Sequence, residues 1–213
     1  RRVGGVSVHT GTIPSKTLRE TVLNLSGWRE RGFYGRAYRV KHDIGAPDLL
    51  RRLHMTLDHE VEILEHQFAR NGVDTLRGAA HFIDSHHIEV TAETGEIHRY
   101  TAGRFVIAVG TRPYRPAHIA FDGHSILDSD EILELDRIPR QLVVIGASVI
   151  GLEYASILSA LDIRVTVLEP TERLLPFVDR ELADEFVHDL RDRGVTIRFG
   201  CKVKSARAAA GGA

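Results

Sequence analysis

The stretch QLVVIGASVIGLEYASILSALDIRVTVLE, residues 141–169, has the most regular pattern in the chain. An apolar run, QLVVIG, is followed by the helical pattern SVIGLEYASILSAL and then by a second apolar run, IRVTVLE. The segments ELADEFVHDLRDRG and VTIRFG then repeat the alternation of helix and strand. This alternation is typical of a parallel sheet with right-handed crossovers, so the sequence predicts an α/β fold.

The turn between the first strand and its helix has the spacing of a dinucleotide fingerprint. Gly146 and Gly151 are its outer glycines, Ser148 replaces the middle one, and Val149 and Ile150 open the helix. Such glycines permit a tight turn and close packing, and the helix N-terminus offers N–H donors to a pyrophosphate. Ser148 adds a side chain at the point of closest pyrophosphate approach. The motif predicts an NAD(P) site; the alternative is a helix turn that binds no nucleotide.

Two charged residues after the second strand bear on which nucleotide would bind. Glu169 ends the strand, where an acid can bond the adenosine ribose hydroxyls of NAD. Arg173 follows four residues later and could instead meet the 2′-phosphate of NADP, or be a solvated surface charge. Glu169 therefore favours NAD, and Arg173 leaves NADP open.

The N-terminal part of the chain has two helical patterns. Residues 4–12 are predicted to form a glycine-bearing loop, followed by a helix that begins near Pro14 and ends at Gly27. A longer helix is predicted to begin near Pro47. Its apolar residues recur at three- and four-residue spacing, and we expect this stripe to pack against a sheet.

Between residues 73 and 109 the spacing of apolar residues changes from a helical period to the period of strands, which predicts short strands. FVIAVG, residues 105–110, is predicted to be a buried strand that ends in a glycine turn. A connector over residues 117–140 is predicted to hold a short helix, DSDEILEL. The histidines of the strand region lack metal-ligand spacing and are predicted to lie on the surface: His81, His86, His87 and His98.

The composition narrows the functional class. The 213 residues are 43% hydrophobic and 27% charged, with a net charge of −1, which gives no general electrostatic case for nucleic-acid binding. Because no apolar run reaches the 18 or so residues of a membrane span, and the chain opens on no charged-then-apolar pattern, we expect neither a membrane span nor a signal peptide. Cys201 is the only cysteine, so an intrachain disulfide is impossible, and we expect a cytoplasmic location.

Three motifs, taken in order, resemble those of the flavoprotein pyridine nucleotide–disulfide oxidoreductase family. They are GGVSVHTGTIPSK at residues 4–16, AVGTRP at 108–113 and GLEYAS at 151–156. The resemblance spans roughly residues 3–203. The redox loop of that family reads GG-x-C-x4-C-IPSK, and Ser7 and Thr12 stand here at the two cysteine positions. Threonine before IPSK is similar to one branch, the soluble pyridine nucleotide transhydrogenases, although Ser7 departs from the first cysteine expected there.

The resemblance implies roles for individual residues. Lys16 matches the lysine of the IPSK motif that lies against the flavin, and Glu153 matches the acid that pairs with it. A cation beside the isoalloxazine would stabilise the electron-rich reduced ring. Val149 matches the residue that covers the flavin and moves aside for nicotinamide. The other positions that the resemblance assigns to FAD are Ala80 at the adenine, and Gly110 and Thr111 in a flavin-contacting turn.

The resemblance also implies a domain arrangement. We expect a partial FAD-binding Rossmann-like domain with a β-meander over residues 1–116, and a nested NAD(P)-binding Rossmann-like domain over residues 117–204. Residues 205–213, a small-residue tail, are predicted to be disordered. The family's first FAD-binding strand and its C-terminal interface domain have no counterpart in the chain. The full-length protein is expected to be a homo-oligomer, and the chain alone to bind FAD too weakly to be yellow.

The absence of a cysteine pair indicates the reaction. A serine and a threonine cannot form a disulfide, so electrons cannot pass from flavin to a dithiol. The resemblance therefore implies an FAD-dependent NAD(P) transhydrogenase that passes hydride from NADPH to FAD and then to NAD. Two alternatives remain: a dihydrolipoamide dehydrogenase-like flavin reductase without redox cysteines, and a non-catalytic nucleotide-binding remnant.

Overall fold

The computed structural model describes residues 3–209 and has an α/β fold. It contains two three-stranded sheets connected by helices. The helices are α1 (Gly5–His9), α2 (Thr12–Ser26), α3 (Arg31–Tyr34), α4 (Ala46–Arg70), α5 (Val149–Ser159) and α6 (Arg180–Asp192). The strands are β1 (Ala79–Phe82), β2 (His87–Thr91), β3 (Ile97–Thr101), β4 (Gln141–Ile145), β5 (Arg164–Leu168) and β6 (Thr196–Arg198).

The second sheet is parallel in the order β4-β5-β6, as the alternation of strands and helices predicts. Leu142 lies opposite Val165, and Ile145 lies opposite Leu168. Helices α5 and α6 contribute to one core with the strands, which includes Leu152 and Leu190. This βαβαβ unit places the turn between β4 and α5 at the carboxyl end of the sheet, where α/β folds bind ligands.

The first sheet is an antiparallel meander in the order β1-β2-β3. Its histidines are exposed, as predicted, and three of them lie near carboxylates: His81 with Glu89, His87 with Asp84, and His98 with Glu96. Most of the residues of this sheet are exposed or half-buried, and Val90 is buried.

The prediction of a buried strand at residues 105–110 is wrong. The segment has no regular secondary structure, and Val106, Ile107 and Val109 are 91%, 72% and 79% exposed. Within residues 3–209 no strand pairs with it. An apolar run becomes a strand only where a neighbour accepts its backbone hydrogen bonds.

The apolar stripe of α4 packs against helix α2, which corrects the prediction that it packs against a sheet. Leu49 and Leu53 of α4 share a buried cluster with Leu18 and Val22 of α2. We call this cluster the helix junction; its other buried members are Leu23, Leu133, Tyr154 and Ile157, and Ala160, which follows α5. The junction therefore joins the N-terminal helices to the βαβαβ unit.

Two local predictions also need correction. The loop predicted over residues 4–12 contains the five-residue helix α1, whose Val8 is buried. The short helix predicted in DSDEILEL is a single 3₁₀ turn, Glu131–Glu134. The helix predicted from Pro14 to Gly27 is present as α2, and Gly27 ends it in a left-handed conformation with φ 63°.

The predicted domain boundaries stay a prediction. The helix junction contains residues from both sides of the boundary at residue 116. Within the tail predicted to be disordered, Ala206 forms an isolated parallel bridge with Ile119, and residues 210–213 lie outside the described residues. Among residues 3–209, no helix is both long enough and apolar enough to cross a bilayer.

Candidate functional site

The turn between β4 and α5 has the backbone geometry that the glycine fingerprint predicts. Gly146 has φ 96°, a left-handed conformation that side chains rarely adopt. A Cβ added to Gly151 would lie 2.2 Å from the Gly146 carbonyl oxygen, so only glycine allows α5 to pack this closely. These two positions fit the roles of the first and third glycines of a dinucleotide-binding turn.

The three residues at the start of α5 are exposed. Ser148 is the N-cap, in an extended conformation with φ −71°, and its side chain makes no capping hydrogen bond. Val149 and Ile150 are 57% and 51% exposed. The first N–H groups of a helix have no intrahelical acceptor, so this end of α5 presents open donors and the positive end of the helix dipole. A pyrophosphate fits these donors.

Glu169 lies beside the glycine turn and is 9% exposed. Its carboxylate accepts a hydrogen bond of 2.7 Å from the Ala147 N–H and bonds of 2.9 and 2.7 Å from the N–H and hydroxyl of Thr171. Burial by itself would raise the pKa of the Glu169 carboxyl. The bonds from Thr171 and Ala147 outweigh burial, so the pKa lies below its usual value and the group is ionised at neutral pH.

Arg173 is exposed and its guanidinium donates to the Pro176 carbonyl. The Thr171 hydroxyl oxygen lies 2.8 Å from the Arg173 carbonyl oxygen and 2.7 Å from Glu169 Oε1, so these two acceptors share its single proton. Arg173 and Glu169 are therefore connected through Thr171, a residue that the sequence reasoning missed. A threonine two residues after the acid that follows a strand was the available signal.

Lys16 of α2 and Glu153 of α5 form an ion pair between residues 137 positions apart in the chain. The Lys16 side chain is 59% exposed and the Glu153 side chain is 20% exposed, so the pair faces solvent on the lysine side. Each is the fifth residue of its helix. The cation predicted to lie against a flavin is thus accessible, and a carboxylate orients it.

The second predicted flavin turn lies next to α1. Gly110 has φ 74°, and a Cβ added there would lie 3.4 Å from Val6 Cγ2. Thr111 is exposed. Ala80 is far from this turn in sequence, in the edge strand β1, where it lies opposite Val90. The structure thus brings α1 and the 110–111 turn together, whereas contact of these residues with FAD stays a prediction.

Ser7 and Thr12, at the two positions expected for cysteine, are both exposed. The single thiol, Cys201, lies instead in the βαβαβ unit, where its N–H donates to the Glu169 carbonyl over 3.0 Å. Within the described residues, no group of three or more His, Cys, Asp or Glu residues could hold a metal ion.

Tyr154, next to Glu153, is a further polar residue at this site that the sequence analysis did not select. Its hydroxyl is buried and has no hydrogen-bond partner within residues 3–209. Burial raises the pKa of Tyr154, and the negative charges of Glu153 and Asp130 raise it further. The hydroxyl therefore stays protonated, and its ring serves the packing of the helix junction.

The parallel sheet, its glycine turn and the acid that follows the second strand define a dinucleotide-binding α/β fold. The family model of the pyridine nucleotide–disulphide oxidoreductases matches residues 3–212. The chain therefore belongs to the pyridine nucleotide–disulphide oxidoreductase family.

Two groups of curated relatives are named soluble pyridine nucleotide transhydrogenase. The protein from Mycobacterium bovis (strain BCG / Pasteur 1173P2) is 47% identical over 204 residues, which is 95% of this chain and 44% of the relative. The protein from Pseudomonas aeruginosa (strain LESB58) is 39% identical over 198 residues, which is 93% of this chain and 42% of the relative. The chain thus spans less than half the length of these relatives.

Two solved structures superpose on this chain over most of its length. LpdA from Mycobacterium tuberculosis superposes with a TM-score of 0.85 at 26% identity, covering 96% of this chain and 45% of that one. The HOCl-induced flavoprotein disulfide reductase RclA from Escherichia coli gives a TM-score of 0.77 at 25% identity, covering 95% and 42%. Both matches extend over the first sheet, the helix junction and the parallel sheet, so all three parts follow the family arrangement.

Proposed function

We propose that the complete protein is an FAD-dependent NAD(P) transhydrogenase, which passes hydride from NADPH to FAD and then to NAD. The observation that carries the proposal is the Lys16–Glu153 ion pair beside a redox loop that holds Ser7 and Thr12 in place of two cysteines. Its likeness to proteins named soluble pyridine nucleotide transhydrogenase supports the same assignment.

The residues proposed to hold FAD are Lys16, Ala80, Gly110 and Thr111. Bound FAD would supply the ring that accepts and returns a hydride. Lys16 contributes a positive charge at that ring, and Glu153 fixes the ammonium in one direction through their ion pair.

The residues proposed to bind the nicotinamide nucleotides surround the N-terminus of α5. Gly146 and Gly151 allow the pyrophosphate to approach the helix, and the open N–H groups near Ser148 and Ile150 bind its charge. Val149 is 57% exposed, so its side chain can move when nicotinamide enters.

Glu169 is proposed to accept hydrogen bonds from the ribose hydroxyls, which favours NAD at this site. Its ionised carboxylate would repel a 2′-phosphate. Arg173 offsets that repulsion when NADP binds, because its exposed guanidinium lies only four residues from the acid. One site would then serve both nucleotides in turn.

The loop at residues 4–16 contains no thiol, so it cannot pass electrons on to a disulfide. The hydroxyls of Ser7 and Thr12 are exposed, but neither can be oxidised to a disulfide. A disulfide substrate would therefore receive no electrons through this loop. Return of hydride to a second nicotinamide is the reaction that we propose.

The test is hydride transfer from NADPH to thio-NAD by the product of the complete reading frame, with Lys16→Met beside the parent. Loss of the flavin-facing charge is expected to lower kcat by about tenfold or more, as removal of one electrostatic stabiliser does. Lys41→Met is the matched control, because Lys41 is also ion-paired and 43% exposed, but its partner is Asp48 of α4.

Three outcomes separate the alternatives. Transfer to thio-NAD that depends on Lys16 supports the proposal. Reduction of quinones or oxygen without transfer to thio-NAD would instead identify a flavin reductase. A protein that binds nucleotides without turnover would be a non-catalytic remnant, and the proposal would be wrong.

A further inference from the structure

Arg31 is a buried cation at the point where α2 and α5 both end. It is 9% exposed and lies in the short helix α3, just after the end of α2. Its sequence context, WRERG, gave no signal of a role, because its partners lie up to 131 residues away.

The Arg31 guanidinium contacts the C-terminal ends of both helices. Its Nη2 lies 3.4 Å from the carbonyl oxygen of Ser26, the last residue of α2, and 3.3 Å from that of Ala160, the C-cap of α5. Its Nη1 donates to Asp162 Oδ1 over 3.1 Å. The final carbonyls of a helix lack intrahelical donors and carry the negative end of the dipole, so one cation satisfies both helices.

Surrounding groups hold Arg31 in place. Its guanidinium carbon lies 4.8 Å from the centre of the Trp28 ring, and that of Arg193, at the end of α6, lies 5.5 Å from the same ring. Arg39 donates to the second oxygen of Asp162. Asp162 itself has φ 61°, an uncommon conformation for a residue other than glycine, so its carboxylate is presented at a tight turn.

The same two helices meet again near their N-termini through Lys16 and Glu153. Between the two contacts, Leu18 and Val22 of α2 pack with Ile157 of α5 in the helix junction. An ion pair with a half-exposed lysine contributes little stability by itself. Its geometry therefore depends on the relative register of α2 and α5, which is tied at the opposite end by Arg31.

We propose that Arg31 is a positioning residue: by joining the C-terminal ends of α2 and α5, it sets the register that brings Lys16 against Glu153. The functional meaning of this geometry rests on the proposed transhydrogenase activity, whereas the geometry can be measured without it. Loss of Arg31 leaves two sets of helix-end carbonyls and the Asp162 carboxylate without their shared donor, and α2 can then shift along α5.

The test is the rate at which an amine-acylating reagent modifies Lys16 in this chain, followed by peptide mass spectrometry. The chain has four lysines, and Lys41, whose ammonium pairs with Asp48 of α4 and not with α5, is the internal reference. Arg31→Met is expected to speed acylation of Lys16 relative to Lys41 by about threefold or more, as coupled residues in one network do. Glu153→Gln gives the rate for a pair that has lost the carboxylate charge.

Arg29→Met is the matched control. Arg29 lies two residues earlier and pairs with Glu20 on the surface of α2, so its loss leaves the α5 contacts intact. The relative Lys16 rate should stay at the parent value in this variant. Arg31→Lys keeps the charge but has a single ammonium group in place of the guanidinium fork, and an intermediate rate is expected.

An unchanged Lys16 rate in folded Arg31→Met, or an equal rise at Lys16 and Lys41, would overturn the proposal. If circular dichroism shows that Arg31→Met does not fold, Arg31→Lys decides between the same outcomes. A failed thio-NAD assay with a raised Lys16 rate would reject the transhydrogenase and keep the positioning role. Transfer to thio-NAD with an unchanged Lys16 rate in Arg31→Met would reject the positioning role and keep the transhydrogenase.

Discussion

Two segments of the chain, FVIAVG at residues 105–110 and QLVVIG at 141–146, have nearly the same sequence pattern and different structures. Both are apolar runs that end in a glycine with positive φ, 74° at Gly110 and 96° at Gly146. The second run forms β4, paired along five residues with β5. The first has no regular secondary structure, and its apolar side chains are exposed.

This difference shows that an apolar run ending in glycine is compatible with a buried strand but does not by itself specify one. β4 has a neighbouring parallel strand, and helix α5 packs against it. Even so, Val143 and Ile145 on its other face are 58% and 47% exposed. Pairing therefore decides whether an apolar run is a strand, and covering layers decide how much of it is buried.

The largest expected difference between the two regions is in core packing. Leu152, in α5 just after the β4 turn, is 2% exposed, whereas Ile107 is 72% exposed. Leu152→Ala should lower the free energy of unfolding by about 2–5 kcal/mol, because it leaves a cavity. Ile107→Ala should change it by less than about 0.5 kcal/mol. Denaturant unfolding measures both, and equal losses would contradict the distinction between the two segments.

The two glycine turns should also differ, by a smaller amount, in the free-energy cost of replacing glycine with alanine. In Gly151→Ala the new methyl would lie 2.2 Å from the Gly146 carbonyl oxygen, so α5 must move, at a cost of about 1–3 kcal/mol. Gly110→Ala meets only an ordinary contact with Val6 and is penalised by its positive φ alone, about 1 kcal/mol.

Thermal unfolding and NADH titration by fluorescence read out both glycine variants. Gly151→Ala should lower stability and nucleotide affinity together, because the same turn packs the helix and faces the pyrophosphate. Gly32→Ala, in α3 with no atom within 4 Å of the new methyl, is the control. A normal NADH affinity in Gly151→Ala would argue against nucleotide binding at this turn.

A third prediction concerns the carboxylate that ties the 146–151 turn to the neighbouring strand, a support that the 105–110 segment lacks. Glu169→Gln should lower the free energy of unfolding by about 1–2 kcal/mol at pH 7, since the amide accepts the Ala147 and Thr171 bonds less strongly. The folded-state pKa of Glu169 lies below its unfolded value.

The sign of the pH dependence follows from that direction. Ionised Glu169 stabilises the fold fully above its unfolded pKa of 4.5, and the contribution is lost as pH falls through the lower folded-state pKa. The gap between parent and Glu169→Gln should therefore close on acidification. Urea unfolding at several pH values measures it, and a gap that widens at low pH would show that the carboxyl is destabilising when ionised.

The smallest effect is expected where the N-terminal helices meet the βαβαβ unit at Lys16 and Glu153. Because Lys16 is 59% exposed, Lys16→Met should change the free energy of unfolding by less than about 1 kcal/mol. Comparison of Lys16→Met, Glu153→Gln and the double variant in denaturant isolates the pair. A coupling well above 1 kcal/mol would mean that the ion pair, rather than the helix junction, joins the two regions.

The parallel unit could be predicted because its signals are local. Strand and helix alternate over residues 141–198 with the correct periods, and Gly146 and Gly151 have the spacing that a turn and a close helix require. The start and end of α2 followed in the same way from Pro14 and Gly27. Short-range backbone preferences suffice for each of these features.

Other features depended on contacts that spacing does not report. Helix α4 packs against α2, and Ala147 donates to Glu169 from 22 residues away. Within residues 3–209, no strand pairs with residues 105–110. The pairing of Lys16 with Glu153 was inferred from a family resemblance, since nothing in either segment points to the other.

The sequence by itself determined the βαβαβ unit, its glycine turn, the replacement of two cysteines by Ser7 and Thr12, and the family resemblance. Only the tertiary structure decided which apolar run is a strand and that Arg31 joins the ends of α2 and α5. The physical reason is that periodicity and turn chemistry are properties of neighbouring residues. Burial, strand pairing and shared hydrogen-bond donors are properties of the packed chain.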